Sequence, residues 1–266
     1  MAQSAEADRA NAPEPAKGVY VYGILPGDIE ITSDRTGVGD PPSPLRVVRS
    51  EKLAALVSDV DTDRPLGTPD DLRAHKAILD DSATDVPVLP MRFGAVLASE
   101  DAVVDELLAP NDDEFSKALD DLEGRHEFVL RGRYVEQAVL ESVLSLNEEA
   151  ARLAEDIRGS DPDATRDARI QLGQLISELL EAQRARDTQA AQDAMEGHCV
   201  ASVIREPTHE LDAVHIAYLL DASQEKHLDQ VVKDLSENWE GLVELEVLGP
   251  QAAYDFVGLA PPGGPA

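Results

Sequence analysis

Val19-Tyr20-Val21-Tyr22-Gly23-Ile24-Leu25 is an unbroken β-forming run that stops at Pro26-Gly27, which predicts a first strand closed by a turn. A stretch rich in Gly, Asp and Pro, from Gly27 to Pro44, leads to Leu45–Val48 and Leu53–Val57. These read as a hairpin around the polar turn Arg49-Ser50-Glu51-Lys52. Thr68-Pro69-Asp70-Asp71 is a helix start: a hydroxyl cap, proline at the first helical position, and two carboxylates at the positive end of the helix dipole. Leu72, His75, Lys76 and Leu79 follow at helical spacing. The prolines in Val86–Pro90 and the run Met91–Leu97 after them predict a sheet edge or a bend. Ser99-Glu100-Asp101 caps a helix to about Leu108, and Asp112–Leu122 makes another, stopped by Gly124.

Past Gly124 the pattern changes. His126–Tyr134 is a strand, and Val139, Val143, Leu146, Ala150, Leu153 and Ile157 then form one apolar stripe that predicts a single long helix. Gly159-Ser160-Asp161-Pro162 breaks it. A further helix, from about Asp163 to Met195, carries Leu172, Leu175, Ile176, Leu179 and Leu180 and can pack antiparallel to the first. Strands Cys199–Arg205 and Leu211–Leu220 follow, then a helix with Leu228, Val231, Val232, Leu235 and Trp239 on one side, and strand Leu242–Leu248. The order β, α, α, β, β, α, β is a ferredoxin-like split βαβ unit whose first crossover is expanded into a helical hairpin. The expected class is α+β with two domains: an N-terminal α+β domain over 18–124 and a C-terminal modified ferredoxin-like domain over 125–258, its hairpin spanning about 134–196. Residues 1–17 and 259–266 have the composition of disordered ends.

Charge narrows the function. The 266 residues carry 53 Asp plus Glu against 23 Lys plus Arg, a formal net charge of −30. Nucleic acids and anionic lipid surfaces attract proteins through Lys and Arg, and the chain has no basic run to overcome its own field, so neither is an expected partner. Only six of the positive charges are lysine and aromatics make up 4% of the chain; acidity and lysine depletion together fit a protein adapted to concentrated salt, where charge repulsion is screened. Cys199 is the single cysteine, which excludes an intrachain disulfide and fits a reducing interior. The first fifteen residues lack a secretory apolar stretch, and the longest apolar run, Ala213–Leu220, is interrupted by His215. A soluble, cytoplasmic protein is expected.

Catalytic and ligand-binding chemistry finds little support in the spacing of residues. His198 and Cys199 are adjacent, which on a strand sends them to opposite faces, and His209 and His215 are too far apart for a short metal-ligand motif. Cys199 opens an apolar strand, so packing is expected of it before nucleophilic work. The pairs Asp70-Asp71, Asp80-Asp81, Asp112-Asp113 and Asp120-Asp121 fall at helix ends or on exposed faces. Gly37-Val38-Gly39 lacks the third glycine of a dinucleotide loop, and no phosphate-binding GxxxxGK[ST] loop occurs. Neither metal nor cofactor is expected. One residue stands out: Arg92, alone in the apolar run Val88–Leu97, either pairs with a helix carboxylate at a structural corner, with Phe93 buried, or faces a partner. The corner is the preferred reading.

On these residues the chain resembles the gas vesicle accessory proteins of the GvpF/GvpL family. The resemblance is carried by Val19-Tyr20-Val21-Tyr22-Gly23-Ile24, by His75, by Val88-Leu89-Pro90-Met91-Arg92-Phe93-Gly94, by Leu122-Glu123-Gly124-Arg125-His126-Glu127-Phe128, and by Leu248-Gly249-Pro250 with Tyr254-Asp255-Phe256-Val257. It departs at Ala252-Ala253, where the family commonly has further prolines. The chain's length is similar to that of the GvpL-like branch, and its acidity suits a haloarchaeal host. The resemblance implies a non-enzymatic protein, cytoplasmic and vesicle-associated, that binds the main shell protein GvpA and other accessory proteins during nucleation of gas vesicles. It is also compatible with retention as a minor structural component. It marks Tyr20, Tyr22, Gly23, His75, Pro90, Arg92, Phe93, Gly94, Gly124, Glu127, Gly249, Pro250, Tyr254 and Phe256 as structural or partner-binding. Two rivals remain open: an unrelated salt-tolerant scaffold, and an enzyme whose site would require His75, His126, His198, His209 and His215 to converge in a pocket with carboxylates.

The excess charge makes a prediction. Lowering the salt from about 3 M to about 0.05 M extends repulsion from a few ångströms to more than 10 Å, so helical circular dichroism and compactness should fall across the series. An unchanged spectrum would show that the acidity serves solubility alone.

Overall fold

The computed structural model describes residues 17–29, 35–161 and 163–257. They form two compact units, one of residues up to Gly124 joined by Gln251–Val257, the other of Arg125–Pro250. The expected N-terminal extension lies outside the described residues except for Lys17, which starts the first strand, and the expected tail lies wholly outside them.

In the first unit, β1 (Lys17–Pro26) runs antiparallel to β3 (Leu53–Asp61), which in turn pairs with β2 (Arg46–Arg49). On its other side β1 takes two short strands, β4 (Leu89–Pro90) and β5 (Val96–Leu97). The segment with the prolines therefore edges the sheet in two pieces with a corner between them. Nearly all of β1 is buried, so both faces of the sheet are covered, which is why the strand reads as a continuous apolar run instead of alternating. One face packs under α1 (Pro69–Asp85), the other under the segment from Glu100 to Leu122.

That second cover is not the regular helix pair the spacing predicts. Ser99 caps a turn at Glu100–Ala102, its hydroxyl accepting from the Ala102 N–H at 3.1 Å, but the backbone then widens into a π-helix over Val103–Leu108 and a 3₁₀ turn at Ala109–Asn111. Pro110 has no N–H to donate back into the helix, and the widened turn, with the Ala109 N–H reaching Val104, accommodates the loss. Regular geometry resumes in α2 (Asp112–Leu122), which ends at Gly124 with φ +66°.

The second unit contains β6 (Arg125–Tyr134), α3 (Glu136–Leu146), α4 (Glu148–Ile157), α5 (Arg166–Ala194), β7 (Ala201–Ile204), β8 (Asp212–Asp221), α6 (Glu225–Asn238) and β9 (Val243–Gln251). Its sheet has the order β7-β8-β6-β9, the arrangement of a ferredoxin-like split βαβ unit. The crossover from β6 to β7 differs from the prediction. The single long helix is broken at Asn147, whose backbone is extended (φ −128°, ψ 108°) and whose side chain accepts the Ala150 N–H at 2.9 Å. Asn competes with the helix by capping, so the apolar stripe divides: Val139 and Val143 are buried while Leu146, at the break, is 79% exposed. The crossover is three helices, with α5 packing against both α3 and α4.

Three polar contacts seat α5 over the sheet. The Tyr134 hydroxyl donates to Asp187 at 2.6 Å, the Tyr218 hydroxyl donates to the Ala191 carbonyl at 3.0 Å, and Arg184 donates to the carbonyls of Asp212 and Glu210. Each places a hydrogen-bonding group where an α-helix meets a buried strand. The C-terminal segment corrects the expected extent of the second domain to residue 258. Gln251–Val257 packs with the first unit, where Gln251 accepts from Lys76 at 2.9 Å and Asp80 accepts from the Ala252 N–H and the Tyr254 hydroxyl.

Candidate functional site

The residues of the Val88–Gly94 block meet the first strand and the first helix at one corner. β1 is regular up to Val21 and then shifts register at Gly23. Gly23 lies opposite Pro90, and a Cβ there would sit 2.9 Å from Leu79, Val88 and the Leu89 carbonyl, so only glycine lets α1 and β4 press so closely onto β1. Three main-chain bonds then fold the segment back: the Met91 N–H donates to the Tyr22 carbonyl (2.8 Å), the Val21 N–H to the Ala95 carbonyl (2.9 Å), and the Ala95 N–H to the Arg92 carbonyl (3.3 Å). Gly94 takes the turn with φ +89°.

Side chains lock what the backbone begins. Tyr20 Oη accepts the Gly94 N–H at 3.0 Å and lies 2.9 Å from His75 Nδ1. His75 also has a backbone hydrogen bond to Met91, which assigns Nε2–H as its donor and Nδ1 as the acceptor of the Tyr20 proton. Tyr22 Oη accepts the Val38 N–H at 2.7 Å and lies 2.9 Å from Ser58 Oγ. The rings pack as well: His75 stacks on Tyr22, and Phe93 meets His75 and Tyr20 edge-on.

Every titratable group in this cluster is neutral. Burial pushes both tyrosines above the ordinary phenol range, outweighing the hydrogen bonds of Tyr20 with Gly94 and of Tyr22 with Ser58 and Val38. Burial likewise lowers His75 despite the Met91 bond and the Asp80 charge. One charge stands beside them, at the start of α1. Burial would raise the Asp71 carboxyl, but bonds from the Gly39, Thr68 and Gly67 N–H groups and the Thr68 hydroxyl together hold it below the ordinary range. The arrangement fixes a shape; its phenols and imidazole are satisfied by one another, by Ser58 and by the main chain.

Arg92 corrects an expectation. It is exposed, and among the described residues its side chain makes no ion pair or hydrogen bond. The backbone and the Tyr20–His75 pair supply the corner, leaving the guanidinium free to point outward. Phe93 is half-buried against His75 and Tyr20 instead of fully enclosed. Tyr254 and the buried Phe256 belong to the C-terminal segment beside α1, and the Lys76 ammonium sits 5.4 Å from the centre of the Tyr254 ring.

The remaining motif residues lie elsewhere. Gly124 ends α2 with a positive φ. In the second unit Glu127 is fully buried and accepts from Arg205 at 2.9 Å. Gly249, at φ +143° before Pro250, passes so near Phe128 and the Glu127 carbonyl that a Cβ would lie 2.6 and 2.9 Å from them. Sequence reasoning missed Ser58 and the Gly37-Val38-Gly39 loop. Ser58 carried a signal, as a polar residue in the apolar strand Leu53–Val60; the loop lies against the Tyr22 hydroxyl, where a Cβ on Gly37 would be 2.4 Å away.

The histidines do not converge. His75 belongs to the first unit. In the second, His126 faces Glu225, His198 stacks on His227 at 3.5 Å between ring centres, His209 accepts from the Leu211 N–H, and His215 contacts the Glu206 carbonyl. A charged cleft of about 370 Å³ in the second unit contains only His215 of the five, between Arg131, Arg133 and Asp212 on one side and Glu244 and Glu246 on the other. No group of three or more His, Cys, Asp or Glu among the described residues is arranged to hold a metal, and burial raises the Cys199 thiol, which disfavours the reactive thiolate.

His75 generates a prediction. Its imidazole is held neutral by burial, so its contribution to stability is complete above the unfolded value of 6.5 and is lost as pH falls below that toward its depressed folded value. His75→Ala should cost about 2 to 4 kcal/mol at neutral pH, through the cavity and the orphaned Tyr20 hydroxyl. It should also flatten the loss of stability just below pH 6.5. Thermal unfolding of both proteins across pH in high salt checks this; parallel curves would overturn the neutral assignment.

Comparison with known proteins agrees with the fold. The sequence profile of the family described as "Gas vesicle synthesis protein GvpL/GvpF" matches residues 18–258. A gas vesicle protein F of a Streptomyces strain is 31% identical over 242 residues, covering 90% of this chain and 98% of that one. A gas vesicle protein L, also from Streptomyces, is 26% identical over 261 residues, covering 91% and 93%. Among solved structures, the crystal structure of gas vesicle protein GvpF from Anabaena superposes with a TM-score of 0.76 at 21% identity, covering 92% of this chain and 99% of that one.

Proposed function

The chain belongs to the GvpL/GvpF family of gas vesicle proteins, and on that premise we propose that it is a cytoplasmic, non-enzymatic accessory protein that binds the main shell protein GvpA and other accessory proteins as vesicles nucleate. The observation that carries the reading is the corner at Met91–Gly94. A cluster of buried, mutually satisfied rings holds that backbone rigidly and leaves Arg92 exposed, an unpaired cation on a chain of net charge −30. A pre-positioned side chain binds without a large ordering cost, and arginine is enriched among residues that dominate binding. The rest of the surface suits the task. A shell protein that assembles through apolar surface and strand edges needs a soluble partner before assembly, and a strongly charged one keeps the joint complex dispersed.

The test is co-purification with GvpA in high salt, using wild type, Arg92→Ala and Phe93→Ala. Wild type should retain GvpA. Arg92→Ala should unfold within about 0.5 kcal/mol of wild type while losing much of the capture, because an exposed side chain contributes little to folding. Phe93→Ala should lose about 1 to 3 kcal/mol of stability through its contacts with Tyr20 and His75. A wild-type protein that retains neither GvpA nor any other vesicle accessory protein would overturn the assignment; an Arg92→Ala variant that binds undiminished would remove Arg92 from it.

A further inference from the structure

Among the described residues the two sheets present four edges, and three are guarded. β2 carries Arg46, bonded to Asp59 and Glu100, and Arg49, bonded to the Gly27 and Ile29 carbonyls. The β4 and β5 edge is cut into two-residue pieces around the Met91–Gly94 corner. β9 carries Glu244, Glu246 and, one residue before its end, Pro250. Charges, proline and short interrupted strands are the devices that keep a sheet edge from pairing with another chain. β7, at the other edge of the second sheet, reads Ala201-Ser202-Val203-Ile204 and has neither charge nor proline.

Its geometry is open on two sides. The Arg205 N–H donates to the His215 carbonyl at 2.8 Å, and the register Val203↔Ala217 and Ala201↔Leu219 continues that parity along β7. In an antiparallel ladder the alternate residues, Ser202 and Ile204, then turn their N–H and C=O groups away from β8. Across the ladder they stand beside Tyr218 and Ile216, which are fully buried on the face covered by α5. That cover stops one strand short: Ser202 is exposed and Ile204 is 54% exposed. A row of open main-chain groups thus lies beside an uncovered apolar side chain.

We propose that the free edge of β7 is a strand-addition site that takes an extended, uncharged segment rich in β-branched residues from the shell protein. The inference rests on the proposed role in gas vesicle assembly. Main-chain bonds to Ser202 and Ile204 supply affinity, and an apolar side chain of the added strand covers Ile204. The charge of the chain argues against a second copy as the occupant. Pairing β7 with itself joins two bodies of net charge −30 across a strand of four residues, far less contact than a stable dimer needs. An uncharged segment from another protein meets no such repulsion.

Ile204→Lys places a charge on the edge at an exposed position, and Ser202→Pro removes an outward N–H while leaving the bonds of Ala201 and Val203 to β8. Each is compared with wild type in GvpA co-purification at high salt, with thermal unfolding as the control for folding, and amide exchange at Ser202 and Ile204 is followed with and without GvpA. The expected result is unchanged unfolding of Ile204→Lys, a drop in capture of about tenfold or more, and slowed exchange at both amides in the wild-type complex. Capture by wild type and undiminished capture by Ile204→Lys would overturn the edge site and leave the wider role standing. Failure of wild type to capture GvpA would overturn both. A concentration-dependent dimer of the chain alone, abolished by Ile204→Lys, would assign the edge to self-association and overturn the proposal.

Discussion

The first unit depends on one buried hydroxyl. Tyr20 Oη receives the Gly94 N–H and gives its own proton to His75, so a single oxygen ties β1, the Met91–Gly94 corner and α1 together. Unsatisfied polar groups are costly in a dry interior, and each member of this set is satisfied only if the other two elements are in place. The same logic repeats one turn of strand away, where the Tyr22 hydroxyl joins β1 to Ser58 on β3 and to the loop at Val38. Because the groups are neutral, the network requires no buried charge pair. That frees Arg92 from structural duty.

The second unit solves a related problem by different means. Its sheet is covered by an insertion of three helices whose outer surfaces are mostly polar, and α5 buries few of its own residues. Apolar area alone would leave such a helix loosely placed. The bonds of Tyr134 to Asp187, Tyr218 to the Ala191 carbonyl and Arg184 to the carbonyls of Asp212 and Glu210 fix its axial position against the strands.

Both units therefore hold directional polar contacts inside, with Asp71, Glu127, Asp187 and Asp212 among them, and leave most of the acidic residues outside. Arg92 on its corner and the uncharged edge of β7 are two of the places where that outer coat is interrupted.

Much of this was legible along the chain. The strand at Val19–Leu25, the capped helix at Thr68, the break at Gly124 and the split βαβ order follow from apolar periodicity, capping residues and glycine, which act over a few neighbouring positions. The motif residues could be marked, because glycines and rings in fixed blocks signal tight geometry. What each one touches could not. The pairing of Tyr20 with His75 spans 55 positions, and the choice between a paired and a free Arg92 depended on whether neutral partners already closed the corner. Local pattern also overruled itself at Asn147, where capping defeated a good helical stripe, and near Pro110, where a missing N–H widened the turn. The C-terminal segment was assigned by its nearest neighbours in sequence to the second unit, but Asp80 and Lys76 on α1 hold it in the first. Periodicity records which side of an element is buried; which distant atoms meet there is set only when the whole chain closes and every buried polar group must find its partner.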